Sequence, residues 1–344
     1  MRGGARPGLL LALLATTVRA QDVEVPAHPR HVNEQTREAI KRGLDYLVRE
    51  QGREGSWRSA GGHGSYPLAM TGLAGLALVG SGSTPTRGLH ARAVRKAASY
   101  VLSQQQPNGL ITSPQEEGRS MYGHGFSTLF LAQVYGMEED VAKQAAIAHV
   151  LRRAIELTAR SQSGAGGWIY APDQGGDEGS VTVTQVQALR ACRNAGIHVP
   201  RSVIDKAIKY IEQSQEPDGG VAYSVHSRGS RPAITAAACA VLYNAGVYDS
   251  AMAEKAFKYA WTNCQPTQSG DGHYFYTQLY MSQACWQKGD RHWNEYYPAI
   301  RDRLLALQGG NGAWNGDGAG QVYGTAVALL ILQIPYNQLP ILSR

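Results

Sequence analysis

Several things that would have placed this chain quickly are scarce in it. Only four of its 344 residues are cysteine. None of Cys192, Cys239, Cys264 and Cys285 forms a CxxC pair or stands at zinc-finger spacing from a histidine. No structural metal site is therefore expected. Beyond the first twenty residues, no apolar stretch approaches the roughly 20 residues of a membrane span. Charge is thin as well: 17% of residues are charged, the formal net charge is +6, and no basic stripe concentrates it. Nucleic acid is accordingly not an expected partner.

What is present begins with a leader. Arg2 and Arg6 precede a short apolar core, Leu9 to Leu14, and Val18-Arg19-Ala20 suits small-residue cleavage. The reading is a signal peptide over 1–20, a linker over 21–32, and one domain over 33–344. Cleavage near Ala20 removes three arginines, which takes the formal charge from +6 to +3. The mature protein is expected to be exported, periplasmic or extracellular, with peripheral membrane contact left open.

The strongest signal is internal repetition. Gln-x-x-x-Gly-x-(Trp or apolar) recurs at Gln51-Gly55-Trp57, Gln105-Gly109-Ile111, Gln162-Gly166-Trp168, Gln215-Gly219-Val221, Gln268-Gly272-Tyr274 and Gln308-Gly312-Trp314. The spacings are 54, 57, 53, 53 and 40 residues, a period that marks a repeat architecture. Before each Gln lies an amphipathic stretch, such as Ile40, Leu44, Leu47 and Val48 set against Arg37, Lys41 and Asp45. After each unit comes a segment apolar nearly all round, as in Leu68 to Val79, Pro232 to Ala245 and Gly324 to Ile334. Such a helix must be buried on every side. Glycines at 80, 136, 196, 246 and 289 stand where left-handed helix ends are expected.

Half-wet helices alternating with fully buried ones predict an all-α protein in two concentric layers, an α/α toroid of six αα-hairpins. An open superhelix is the alternative. The cysteines then fall on separate helices, with Cys264 and Cys285 at opposite ends of an antiparallel pair, roughly 15 Å apart at 1.5 Å rise per residue. Buried free thiols are expected, and a Cys192–Cys239 bridge stays open.

These units resemble the prenyltransferase and squalene-cyclase (terpenoid-cyclase) repeat superfamily. The likeness runs from about Asn33 to the C-terminus. It is densest at Gly167-Trp168-Ile169-Tyr170, at Asp177-Glu178-Gly179-Ser180-Val181-Thr182, and from Tyr323-Gly324-Thr325-Ala326 to Leu339-Pro340-Ile341. It implies an α/α toroid whose repeat Gln and Trp residues tie neighbouring helices together.

Fold does not carry function, and three chemistries are open to such a toroid. Protein prenyltransferases resembling this fold hold zinc through an Asp two residues before a Cys. Here those positions are Arg190, Ala237, Thr262 and Gln283, and the motif is absent. Class II terpene cyclases use the middle Asp of Asp-x-Asp-Asp as acid. The local match is Gly175-Gly176-Asp177-Glu178, with Asp177 as general acid, Glu178 as its partner, and Gly175 in place of the first Asp. Aromatic faces for carbocations are offered by Tyr66, Tyr122, Tyr170, Tyr274, Phe275, Tyr276, Tyr280, Trp286 and Tyr323. Carbohydrate chemistry would draw on paired carboxylates from Asp173, Asp177, Asp218, Asp271 and Asp317, with His226, Arg228, Arg231 and His273. His63 and His124 precede inner helices at equivalent places, and with His273 they are candidate metal ligands over the central axis.

The leading expectation is a toroid that binds an apolar or isoprenoid-like small molecule or lipid in its centre, without a metal or cofactor. Tyr170, Tyr274, Tyr276, Tyr323 and His273 are the candidate ligand contacts. The alternatives are a class II cyclase using Asp177 and Glu178, and a polysaccharide-acting enzyme or interaction scaffold.

Overall fold

The structure, a computed structural model, describes Met1 and residues 28–62, 64–173, 175–268 and 272–342. The leader beyond Met1, the first part of the linker, His63 and Asp271 lie outside the described residues. Among the described residues, six outer helices, α1 (Glu34–Glu50), α3 (Ala91–Ser103), α5 (Val141–Arg160), α7 (Arg201–Gln213), α9 (Ala251–Asn263) and α11 (Asp290–Leu307), alternate with six inner ones. The inner helices are α2 (Pro67–Gly80), α4 (Ser120–Tyr135), α6 (Gly179–Asn194), α8 (Pro232–Asn244), α10 (Tyr274–Lys288) and α12 (Gln321–Gln333).

The inner helices pack in cyclic order, α2 on α4, α4 on α6 and so on, and α12 returns to α2. The ring is closed, not an open superhelix. All fourteen residues of α2 are buried, as an apolar helix inside a second layer requires. In α1 the buried stripe holds Ala39, Ile40, Leu44 and Leu47, whereas Val48, assigned to it from the sequence, is exposed.

The repeat motif performs one job five times. Gln51 Nε2 donates to its own loop, at Gly55 O, and to Ala93 O in the next outer helix. Gln105, Gln162, Gln215 and Gln308 do the same, onto Val150, Val203, Met252 and Ala39. The glycine has positive φ in each of these repeats. A Cβ there would collide with a backbone carbonyl of the next outer helix, that of Lys96, Arg153, Lys206, Lys255 or Arg42. The indoles of Trp57, Trp168 and Trp314 are buried and donate to Leu47 O, Thr158 O and Leu304 O at 2.7 Å each.

The fifth match is different. Gln268 bonds Thr262 O in its own repeat, Gly272 has open space where a Cβ would be, and Tyr274 opens α10 rather than preceding it. The spacing of 53 residues placed it in the series, but the contacts do not.

Two expected helix ends also shift. Gly80 is still helical, with Gly82 as the left-handed residue, and Gly136 is right-handed with φ −70°. Gly196, Gly246 and Gly289 have positive φ as expected. All four cysteines are buried: Cys192, Cys239 and Cys285 are free thiols, with Cys192 and Cys239 not bridged, and Cys264 Sγ donates to Pro232 O. The chain ends by folding under the ring, where Leu339, Ile341 and Leu342 share a narrow void with Leu76, Leu129 and Leu330. Among the described residues, no helix is long and apolar enough to cross a membrane.

Candidate functional site

A hairpin repeat makes all inner helices parallel, so their N-termini gather at one end of the ring. A cavity of about 540 Å³ opens there, within the size range of small-molecule sites. Its wall is apolar: Ala69, Met70 and Leu73 of α2, Phe126 of α4, Ala233 and Ile234 of α8, and Leu279 of α10. Six tyrosines join them, Tyr66, Tyr122, Tyr170, Tyr223, Tyr276 and Tyr323, together with Arg119, Ser180, Arg231, His273 and Asp317.

The rim is built on one structural register. The residues immediately before α2, α4, α6, α8, α10 and α12 are Tyr66, Arg119, Glu178, Arg231, His273 and Gly320. The loop of the following repeat supplies acceptors to several of these helix starts. Glu116 accepts from Leu68 N and Ala69 N at 2.9 and 3.0 Å. Tyr170 O accepts from Met121 N, Tyr223 O from Gly179 N, and Asp317 Oδ2 from Tyr276 N at 3.0 Å. The contacts that join neighbouring repeats therefore also set the geometry of the rim.

Three buried or half-buried carboxyls sit at alternate inner helices. Burial pushes the Asp317 carboxyl above the usual range, against the pull of the Tyr276, Phe275 and Tyr274 amides and of His273. Burial also raises Glu178, whose oxygens accept from Ser180 N, Val181 N, the Ser180 hydroxyl and the Tyr122 hydroxyl. Glu116 is raised by burial to about 7. One of its oxygens has no partner among the described residues and lies against Gly123, where any side chain would collide with it. Desolvation is the common cause, since it disfavours the ionised form.

The cavity gathers only part of the sequence-selected set. Tyr170, Tyr276, Tyr323 and His273 are on its wall. Tyr274 is not: its hydroxyl donates to Pro266 O and its ring packs edge-on to Phe275. Asp177 is also off the wall and accepts from Val225 N at 3.3 Å. Glu178 reaches the cavity only through Tyr122 and Ser180. Of the candidate residues for carbohydrate chemistry, Arg231, His273 and Asp317 line the cavity. Asp173 and Asp218 instead accept from nearby amides in their own loops.

His124 takes the place that threonines hold in other repeats. Ile111 N donates to its Nδ1, as Trp57, Trp168, Val221 and Trp314 amides donate to Thr71, Thr182, Thr235 and Thr325. Its Nε2 pairs with Thr158, and burial lowers its pKa to about 4. It is a neutral packing residue, not a ligand aimed at the axis. Among the described residues, no group of three His, Cys, Asp or Glu is placed to hold a metal.

Arg119, Tyr223 and Glu116 were not singled out from the sequence. The register immediately before each inner helix would have found Arg119. Tyr223 and Glu116 become visible only once adjacent loops meet.

The chain has the terpenoid-cyclase-like α/α toroid fold. No family model matches it. A drimenyl diphosphate synthase of Streptomyces showdoensis is 26% identical over 198 residues, which is 57% of this chain and 34% of that protein. The chain thus spans about a third of that relative's length. Among solved structures, a variant of the type II terpene cyclase MstE from Scytonema, in complex with geranylgeranyl dihydroxybenzoate, superposes with a TM-score of 0.62. It is 14% identical and covers 89% of this chain and 98% of that one. The α-1,6-mannanase GH76A of Salegentibacter superposes with a TM-score of 0.64 at 10% identity, covering 88% and 99%. At these identities the likeness to the two solved structures is one of fold.

Proposed function

We propose that this protein is exported and binds an apolar, isoprenoid-like ligand in its central cavity. One observation carries this reading: the cavity is walled by aliphatic side chains and ringed by tyrosines. A space of that kind favours an apolar body with a polar tip. The toroid neighbour bound to a geranylgeranyl compound supports it. A mannan-type substrate would need two facing carboxyls, and among the described cavity residues only Asp317 supplies one.

Native mass spectrometry with lipid extraction, on protein from the exported fraction of its own host, tests the proposal. A co-purifying isoprenoid or lipid is the expected result. A clean apo mass, with no binding of added farnesol or geranylgeraniol, would sink it.

A second reading, cyclase-type acid chemistry, is favoured by the position of Asp317. A carboxyl on an apolar wall, raised by burial and beside Tyr276 and Tyr323, suits proton donation better than Asp177. In that reading Asp317 takes the role first assigned to Asp177.

A further inference from the structure

Three side chains belong to two spaces at once. Leu73, Phe126 and Leu279 line the central cavity, and they also line the narrow void near the chain's end. About one helical turn further along the same three helices, Leu76, Leu129 and Gln283 line the void and not the cavity. A turn advances about 5.4 Å along a helix. The void therefore lies one turn deeper on the same axis, with Leu73, Phe126 and Leu279 as the waist between the two spaces. The bore narrows there: Gln187 Nε2 of α6 donates to Gln283 Oε1 of α10 at 2.7 Å, although α8 separates those helices in the ring. The void itself measures about 20 Å³, room for roughly one water.

The far side of the void is closed by the end of the chain. Leu339, Ile341 and Leu342 line it and are 4%, 3% and 8% exposed, while Gln338 and Pro340 between and beside them face water. Asn337 makes the turn into this segment at φ 54°, a left-handed conformation that Asn adopts more readily than most residues. The Asn337 amide, the Gln338 side-chain amide and the Leu342 amide donate to the carbonyls of Ile334, Tyr336 and Leu339. Those bonds stay within 334–342 and are kept if the segment moves as one piece. A short chain end seated by a few apolar side chains belongs to the part of a structure that opens most cheaply.

We propose that residues 338–342 are a displaceable plug, which swings about Asn337 to open the far end of the bore and gives the central cavity a second entrance for an apolar ligand. This rests on the apolar-ligand reading and adds how that site is reached. With the plug out, only the waist side chains stand between the cavity and the opposite mouth, and side-chain rotation is fast beside the motion of a segment.

The test uses the full chain and diphenylhexatriene, a neutral apolar rod that fluoresces once out of water, with association and dissociation followed by stopped flow. Ile341→Asp/Leu342→Asp places charge in the void, which an apolar space does not tolerate, and so holds the plug out. Gln338→Asp adds charge on the exposed side of the same segment and is the control. The double variant should bind and release the probe at least about tenfold faster, because a conformational step that slows entry is removed. Its Kd should stay within about twofold of the native value, since an added route speeds both directions alike. The control should match the native chain. In the native chain, the amides of Asn337 and Leu342 should exchange hydrogen by local opening, well before those of α2 and α12. Exchange of the segment only through global unfolding overturns the plug, and does so even if the double variant fails to fold. Unchanged rates in a folded double variant overturn it too, and so does a changed Kd without matched changes in both rates, which would make the segment part of the ligand's seat. In those cases the apolar cavity stands. If the native chain does not bind the probe at all, the cavity reading falls and the second entrance falls with it.

Discussion

Gln308 Nε2 donates to the backbone carbonyl of Ala39 at 2.9 Å, across 269 positions of sequence. The same nitrogen holds Gly312 O, so one amide ties the last repeat's loop to the first outer helix. Removing it strands two part-buried carbonyls at the seam of the ring. Gln308→Leu should cost about 2–3 kcal/mol in urea denaturation, the usual cost of such orphaned groups. Gln268, whose described bonds stay within its own repeat, Nε2 to the exposed Thr262 O and Oε1 from Gln265 N, is the control, and Gln268→Leu should cost no more than about 1 kcal/mol. Equal losses would mean that the fifth repeat is built like the others.

That pair also measures how far the sequence could be read. The period, the two helix classes and ring closure follow from residues whose roles are local: Gln, Gly and Trp at fixed spacing, and apolar runs without a polar face. The fifth match misled because spacing alone cannot show whether a glycine's missing Cβ faces another carbonyl. The cavity was harder to anticipate. It is made where loops from different repeats meet, so Asp317 and Arg119 enter it through contacts remote in sequence. Asp177, which follows the loop's local pattern, ends on a backbone amide instead. Tyr170, Tyr276, Tyr323 and His273 were recoverable because they lie at or beside inner-helix starts.

Glu116 gives the molecule a pH dependence. Its folded pKa of about 7 stands above the ordinary 4.5, so between those values the folded chain holds a proton that the unfolded chain has released. Stability from this group is present in full below about pH 4.5 and is lost as pH rises through about 7. The loss comes to about 3 kcal/mol. Glu116→Gln keeps an oxygen for the Leu68 and Ala69 amides but cannot ionise. The difference in unfolding free energy between native and variant should therefore slope with pH across that window. A flat difference would show that burial does not hold the proton there.

The apolar well predicts a filling experiment. Met70 lies on the wall of the cavity and is 4% exposed. Met70→Trp projects extra volume into open space, so its cost should stay near the low end of the roughly 1–3 kcal/mol seen when well-packed cores are overfilled. Farnesol and hexadecanol binding should fall at least about tenfold, while the thermal transition remains cooperative. Undiminished binding would move the ligand out of the central cavity.

Asp317 and Asp177 separate the two catalytic assignments. If the protein turns over an isoprenoid, the acid must reach the substrate, and proton transfer needs hydrogen-bond distance or one bridging water. Only Asp317 of the two lines the cavity. Asp317→Asn keeps an oxygen for the Tyr276 amide, so α10 should lose no more than about 1 kcal/mol of capping. Turnover, read as cyclised product by gas chromatography and mass spectrometry, should fall at least about 100-fold. Asp177→Asn should leave it within about twofold, because an off-wall carboxyl has no direct path to the reacting atoms. In the native chain the rate should decline as pH rises through the elevated pKa of Asp317, since the acid works only while protonated. Loss of turnover in Asp177→Asn with Asp317→Asn active would return the acid's role to Asp177.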